Sequence, residues 1–391
     1  MKTCRIGVAE YIGDPCQTGP LLLEAPGFGQ VRKKGRQTVF FSRAKSLVGL
    51  DIGSSAVKVV ELKELGKGKG FQVQNVAIEP LSPEAIVDGA IMDAGLVIET
   101  IQKAFGSRKV KGSDVAIALS GHSVIIKKIS IPTTSEEELA EVIPWEAEQY
   151  IPFDVEDVNL AYQVLKGGGT DGNMDVLLVA AKKDKINDYT SVVTQAGRNP
   201  VLVDVDVFAL QNCFEINYDC DPHESVALVN VGASTTNVAI LKGLTSIFWR
   251  DISVGGNHFN DAMRKELNVS FEQAEGLKCG QTVEGVDTDK VAPILASVND
   301  FIGGEIQKTI DFFKNTTPGE GISKMVLAGG SSRVANLKES LATRFGVPVE
   351  PLNPFNRVGV AKGIAPETLD DLGPSVSIAV GLASRRLGDN R

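Results

Sequence analysis

Two short segments of the chain place glycine and hydroxyl side chains directly after an apolar run. The first is Asp51-Ile52-Gly53-Ser54-Ser55, and the second is Asn230-Val231-Gly232-Ala233-Ser234-Thr235. Each is followed by a run rich in β-branched residues, so each predicts a β-hairpin with a tight glycine turn. Turn amides and hydroxyl groups can bind phosphate oxygens. A carboxylate at the end of the first strand, such as Asp51, can hold Mg²⁺ through water.

The two hairpins repeat each other at an offset of 179 residues, from Asp51 to Asn230. A repeat at the spacing of a domain indicates a duplicated unit. One such hairpin alone is usually an ordinary structural turn, whereas two facing hairpins can hold the phosphates of one ligand from both sides. The sequence therefore predicts a phosphate-binding cleft between two related halves.

A third glycine segment, Val326-Leu327-Ala328-Gly329-Gly330-Ser331-Ser332, reads as a strand that enters a helix through paired glycines. Glycines at such a position let the backbone approach a ligand closely. The alternative is a packing turn of the dinucleotide-binding type, but the GxGxxG spacing of that turn is absent.

Strands and helices alternate in both halves around these turns, which predicts the α/β class. The first half is predicted to contain strands over 47–50, 56–62, 71–78, 115–119, 124–131, 174–181 and 201–205, and helices over 95–105, 135–150, 184–196 and 207–217. The second half is predicted to contain strands over 226–231, 236–241, 246–254 and 324–328, and helices over 257–267, 270–279, 291–313 and 375–387.

Composition narrows the class of protein further. The 391 residues allow two domains, and 43% hydrophobic residues are too many for a disordered chain. A net charge of -9 argues against non-specific nucleic-acid binding, which needs a basic surface. The five cysteines form no CxxC pair or zinc-like spacing, as expected of free thiols in a reducing compartment. No apolar stretch is long enough to span a bilayer and no signal peptide is recognisable, so we expect a cytoplasmic location.

Residues 1–45 differ from the rest of the chain. They are rich in glycine, proline and basic residues and show no periodicity, with basic residues from Arg32 to Lys45 and no acidic residue between them. We expect a disordered tail or a start codon assigned too far upstream. A basic arm that contacts membrane is the alternative.

The three glycine segments, in this order, resemble the ATPase superfamily of actin, sugar kinases and heat-shock chaperones. The resemblance implies an actin-like (ribonuclease H-like) duplicated α/β fold whose two lobes close over Mg-ATP. It places Asp51 near Mg²⁺, with Gly53, Ser54 and Ser55 against the β-phosphate. Lys58 matches a lysine that contacts the phosphates in actin.

The resemblance extends to the second hairpin and to the nucleoside. The second phosphate loop would face the terminal phosphates, the paired glycines would lie behind the nucleoside, and a helix before them would contact ribose and adenine. The positions implied are Asn230, Gly232, Ser234 and Thr235 in the second loop, Gly329, Gly330 and Ser331 in the glycine turn, and Glu275 and Lys278 on the helix.

Within this superfamily the chain from Ser46 onwards is similar to the PilM family of cytoplasmic actin-like proteins of type IV pilus assembly. The most specific segment is Glu146-Ala147-Glu148-Gln149-Tyr150-Ile151-Pro152-Phe153. The resemblance implies an ATP-binding scaffold, peripheral to the inner membrane, that holds the N-terminal cytoplasmic tail of PilN beside a small inserted subdomain. The implied domains are a first lobe over 46–218, with the insertion over roughly 122–182, and a second lobe over 219–391.

One departure from the superfamily affects catalysis. The second phosphate loop usually begins with Asp, but this chain has Asn230, and Asn237 occupies the place of a histidine in actin. A neutral amide supplies no carboxylate to Mg²⁺ and cannot act as a base. We therefore expect ATP binding with weak or absent hydrolysis.

Two other functions fit the same fold. One is a filament-forming cell-division protein like FtsA, although that family carries a C-terminal amphipathic helix behind a linker, and this sequence stops soon after its last apolar helix. The other is a small-molecule kinase, for which no segment of the sequence supplies a general base.

Overall fold

A computed structural model describes residues 47–66, 69–165 and 172–386 of the chain. The predictions for residues 1–45, and for the end of the last helix at Leu387, lie outside this described part. The strands are β1 (Val48–Ile52), β2 (Ala56–Glu64), β3 (Phe71–Pro80), β4 (Ile86–Val87), β5 (Ala90–Ile91), β6 (Asp114–Leu119), β7 (Val124–Pro132), β8 (Val158–Val164), β9 (Asn173–Lys182), β10 (Asn199–Val205), β11 (Ser225–Val231), β12 (Thr236–Lys242), β13 (Thr245–Ile252), β14 (Lys324–Ala328), β15 (Val349–Pro351) and β16 (Gly359–Val360).

Helices connect these strands in the interleaved order that the sequence predicts. They are α1 (Ala94–Ser107), α2 (Glu136–Ala147), α3 (Lys183–Gln195), α4 (Asp206–Asn217), α5 (Asn257–Leu267), α6 (Phe271–Lys278), α7 (Val291–Thr316), α8 (Leu337–Phe345), α9 (Pro366–Leu372) and α10 (Ser377–Ala383).

Two sheets repeat one strand arrangement. The first has the order β10-β6-β1-β2-β3-β16, and the second has the order β13-β12-β11-β14-β15. In each, an antiparallel unit of three consecutive strands (β1-β2-β3, β11-β12-β13) is extended by two parallel strands next to its first strand. The predicted duplicated α/β architecture is therefore confirmed.

The duplication holds residue by residue at the two predicted hairpins. Asp51 pairs across its hairpin with Lys58, and Asn230 pairs across the second hairpin with Asn237. Both pairs close the same interval of chain in the same antiparallel register. The second half therefore carries two amides where the first carries an acid and a base.

Helices α4 and α10 pack against each other between the two sheets. The main core joins them to the first sheet and to one face of the second, where Val226 and Leu241 belong to it. At the closest points, a Cβ on Gly381 of α10 would overlap the carbonyl oxygen of Ala209 in α4, and a Cβ on Gly49 of β1 would overlap that of Ala379. These contacts require glycine because no side chain fits there.

A third, three-stranded sheet stands apart, with the order β7-β9-β8. Helix α2 packs on it and forms a separate small core that includes Leu139, Ile143 and Ile131. The side chain of Ser135 caps this helix by accepting from the backbone amide of Glu138. The side chain of Glu138 in turn accepts from the backbone amide of Ser135. The sheet and helix lie in the segment predicted as an insertion.

The C-terminal segment returns to the first sheet. Strand β16 pairs with β3, and α10 packs against β1 and α4. The proposed second lobe over 219–391 therefore includes elements that pack on the first sheet. The reason is that every residue of α10 is buried, so this mostly apolar helix must be covered by other elements on all of its faces. Strand β8 was not predicted, although Val158, Leu160, Tyr162 and Val164 alternate along it. A helix after the paired glycines was expected, and α8 begins only at Leu337, after a short 3₁₀ turn.

We expect Gly381→Ala to destabilise the protein by about 1–3 kcal/mol, because the added methyl group forces α10 away from Ala209. The matched control is Gly304→Ala in α7, where nothing lies within 4 Å of the new Cβ. Alanine should there stabilise the helix by about 0.5–1 kcal/mol. Urea unfolding measures both, and equal midpoints for the two variants would contradict the close approach.

Candidate functional site

The ends of the central strands from both sheets meet at one cleft. The turns after β1, β11 and β14 all line it, as do residues of β6 and the first residue of α4. In open α/β sheets, ligands bind beyond the carboxyl ends of such strands. Of the predicted site residues, the cleft brings together Asp51, Gly53, Ser54, Ser55, Lys58, Asn230, Gly232, Ser234, Thr235, Gly329 and Gly330.

The first loop presents a charged pair to the cleft. Asp51 near the end of β1 accepts from the Lys58 ammonium at 3.0 Å, and both side chains are mostly buried. The turn is closed by the amide of Gly53, which donates to the carbonyl of Ala56 at 3.1 Å. The loop therefore offers both an acceptor for a cation and a cation for an anionic ligand.

The second loop faces the first across the cleft. Its turn is closed by the Gly232 amide, which donates to the carbonyl of Thr235 at 3.0 Å. The Ser234 hydroxyl donates to the hydroxyl of Ser54 at 2.8 Å, and Asn257 donates to Ser234 at 3.2 Å. The two loops therefore contact each other across the cleft, and a phosphate group bound to both hydroxyls would have to replace this direct bond.

The glycine turn after β14 packs directly under the second loop. Gly329 has a φ of +91°, and a Cβ there would overlap the carbonyl of Val231, so only glycine fits. The Ser331 hydroxyl donates to the carbonyl of Gly232 at 3.0 Å and is buried. The structure therefore places Ser331 behind the loop as a support, while Gly329 and Gly330 line the cleft.

Glu275 and Lys278 are not among the residues that line the cleft. The Lys278 ammonium bonds the Glu275 carboxylate at 2.5 Å, and Asn260 donates to the same oxygen at 2.8 Å. These contacts account for the positions of both side chains without a ligand. A contact with ribose or adenine stays a prediction for these two residues.

Asp206, at the start of α4, is a cleft residue that the sequence reasoning missed. Burial and the neighbouring charge of Asp51 together raise its pKa to about 7, although a hydrogen bond with Ser120 lowers it in part. A carboxyl group that titrates near neutrality in a cleft is suited to exchange a proton with a bound water or ligand. The available signal was an acid directly after the buried strand β10.

Several oxygen donors face the cleft, but they do not form a preformed metal site. Among residues 47–66, 69–165 and 172–386, no cluster of three or more His, Cys, Asp or Glu side chains could hold a metal ion. Asp51 remains the carboxylate at the predicted position. This donor set suits Mg²⁺, which commonly binds through one or two carboxylates together with phosphates and retained waters.

We expect the stability of the ligand-free protein to depend on Asp206 between pH 5 and pH 8. Its folded-state pKa of about 7 exceeds the unfolded value of about 3.9, so its ionisation lowers stability as pH rises through this range. The free energy of unfolding of Asp206→Asn, relative to that of the wild type, should therefore increase by on the order of 2 kcal/mol between pH 5 and pH 8. Asp184→Asn, an exposed acid in the first turn of α3, is the control and should show no such trend.

Comparisons with known proteins agree with this architecture. Residues 49–387 match the family model described as type IV pilus assembly protein PilM. The fold is similar to a chain of the structure of a PilM-PilN type IV pilus biogenesis complex, with a TM-score of 0.78 and 26% identity, covering 87% of this chain and 98% of that chain.

A second group of similar proteins belongs to ethanolamine utilization. The structure of EutJ from Carboxydothermus hydrogenoformans has a TM-score of 0.51 and 15% identity, covering 88% of this chain and 90% of that one, which is a likeness of fold alone. EutJ of Escherichia coli (strain K12) is 26% identical over 122 residues, or 31% of this chain. The match spans 39% of that relative's length.

These matches do not favour a cell-division filament protein or a small-molecule kinase. They confirm the actin-like fold inferred from the three glycine segments. The family model covers most of the sequence, far more than half of it. The chain therefore belongs to the PilM family of type IV pilus assembly proteins.

Proposed function

We propose that the chain is an ATP-binding scaffold of the type IV pilus inner-membrane assembly platform that holds the N-terminal cytoplasmic peptide of PilN. The observation that carries this proposal is the similarity, across nearly the full length of both chains, to a structure of a PilM-PilN complex. Binding of PilN would place the chain at the cytoplasmic face of the inner membrane. Among the described residues, no helix has the length and hydropathy needed to cross a bilayer.

The inserted segment supports a protein partner. It exposes three large apolar side chains of α2 and the turn after it: Val142 is 37%, Trp145 is 71% and Tyr150 is 40% exposed. Exposed tryptophan and tyrosine are typical of protein-binding surfaces, because they bury much area with little loss of side-chain freedom. A peptide groove beside the inserted subdomain fits this surface.

The cleft supports nucleotide as the ligand. Two facing turns offer amides and hydroxyls, Lys58 offers a positive charge, and Gly330, which lines the cleft without a side chain, leaves room for a flat group. Asp51 would hold Mg²⁺ through water, and the cation would supply charge neutralisation for the phosphates. Ser54 and Ser234 lie in turns of different sheets, so a phosphate group that replaced their direct bond and accepted from both hydroxyls would favour the closed arrangement over an open one.

The proposed role of nucleotide is control of shape rather than fast turnover. Asn230 supplies no negative charge at the terminal phosphates, and its amide is bonded to Asn237 at 2.8 Å. Asp206 is the one carboxyl group identified above with a pKa suited to take a proton from water. We therefore propose that ATP hydrolysis is slow and depends on Asp206, whereas ATP binding does not depend on this residue.

Titration of a fluorescent peptide of the cognate PilN N-terminal tail, with Mg-ATP present, should show saturable binding by an increase in anisotropy. The control is a scrambled peptide of equal length and charge, which should bind at least about tenfold more weakly, equivalent to about 1.4 kcal/mol. Equal binding of both peptides, or of neither, would contradict the proposed partner.

We expect Gly330→Val to weaken ATP binding by about tenfold or more, which corresponds to about 1.4 kcal/mol, because the new side chain fills part of the cleft. The nearest atom to a Cβ at this position is the Ser375 hydroxyl at 3.7 Å, so the fold should tolerate it. The control is Gly321→Val, in the loop before β14, where nothing lies within 4 Å of the new Cβ. Isothermal titration calorimetry measures both, and unchanged ATP affinity in Gly330→Val would place the nucleotide elsewhere.

A further inference from the structure

A row of hydrogen bonds leads away from the second loop towards the inserted sheet. The side-chain amide of Asn230 donates to the Asn237 oxygen at 2.8 Å, and the amide of Asn237 donates to Asp251 Oδ1 at 2.8 Å. The other carboxylate oxygen of Asp251, Oδ2, accepts from the backbone amide of Gly121 at 2.7 Å. Four residues thus connect the cleft to the chain that enters the inserted segment.

The carboxylate of Asp251 fixes the direction of every bond in this row. Both oxygens of Asp251 accept hydrogen bonds, so Asn237 turns its NH₂ group towards Asp251 and its oxygen towards Asn230. Asn230 must then turn its own NH₂ group towards Asn237. The amide oxygen of Asn230 is left for the cleft that this residue lines. Asp251 therefore makes a neutral asparagine present an acceptor, the kind of group that receives a hydrogen bond from metal-bound water.

The opposite end of the row sits at the junction between the first and third sheets. Gly121 follows β6 and lies three residues before Val124, where β7 of the inserted sheet begins. The next residue is also held, because His122 Nε2 lies 3.0 Å from the hydroxyl of Ser253. Asp251 and Ser253 thus secure the entrance to the inserted sheet from the second sheet, across the two halves of the protein.

We propose that Asp251 is a positioning residue that couples Mg-nucleotide in the cleft to the placement of the inserted subdomain. The inference rests on the proposed function, since it assigns the route by which nucleotide acts on the peptide groove. A cation-bound water that hydrogen-bonds to Asn230 strengthens the row in its present direction and holds Gly121 in place. Without that ligand the row lacks this additional hydrogen bond, and the entrance to the inserted sheet is held less firmly.

The test compares peptide affinity with and without Mg-ATP in the full chain. In the wild type, Mg-ATP should change the affinity for the PilN peptide by about fivefold or more, within the usual range of allosteric coupling. In Asp251→Asn the change should fall below about twofold. Asn237→Ala breaks the same row at another residue and should reduce the coupling in the same way. Asp261→Asn, an exposed acid of the second half, is the control and should keep the coupling.

A second readout follows the junction itself. Hydrogen exchange of the Gly121 amide should slow on addition of Mg-ATP in the wild type, and this protection should be lost in both row variants. Normal coupling in Asp251→Asn and Asn237→Ala, or a wild type that binds both ligands independently, overturns the inference and leaves the proposed function intact. A wild type that binds neither ATP nor peptide overturns both.

Discussion

Contact between helices α4 and α10 sets the geometry on which the rest of the molecule depends. Gly381 meets the backbone of Ala209, and Gly49 meets the backbone of Ala379, without room for one methyl group at either point. Because each helix also packs on a sheet, this approach fixes how the two sheets face each other. The loops at their strand ends can meet across one cleft only while these helices remain in contact.

The duplication makes the chemistry of the two loops directly comparable. The same cross-strand register holds Asp51 opposite Lys58 and Asn230 opposite Asn237. An ion pair in the first half has become an amide pair in the second, while a carboxylate is kept one strand further out, at Asp251. The acidic side chain near the second loop is therefore displaced rather than lost, and it contacts the amide of Asn237 instead of lining the cleft.

The electrostatics of the cleft favour a bound cation. The charge of Asp51 adds to burial in raising the pKa of Asp206, and the charge of Lys58 offsets only part of this effect. A divalent ion brought in with phosphates would relieve this repulsion, while the phosphates would find Lys58 and the turn amides. Ionised Asp206 thus destabilises the empty protein, and a ligand that brought a cation would relieve this cost and favour the arrangement of the two lobes that holds it.

Short-range pattern in the chain was enough to predict three of the turns that line the cleft. The hairpins at Asp51 and Asn230 and the glycine turn at 329–330 were predicted because strand period and turn glycines are local signals, and their order was sufficient to indicate the fold. The surroundings of Asp206, Asp251 and Ser331 could not be read from local pattern. Their meaning comes from burial and from neighbours far away in sequence, such as Asp51 for Asp206 and Gly121 for Asp251. The pairing of Glu275 with Lys278 outside the cleft lining was also not predictable, nor was the packing of α10 on the first sheet. Both depend on distances in the folded chain, which residue spacing in the sequence does not give.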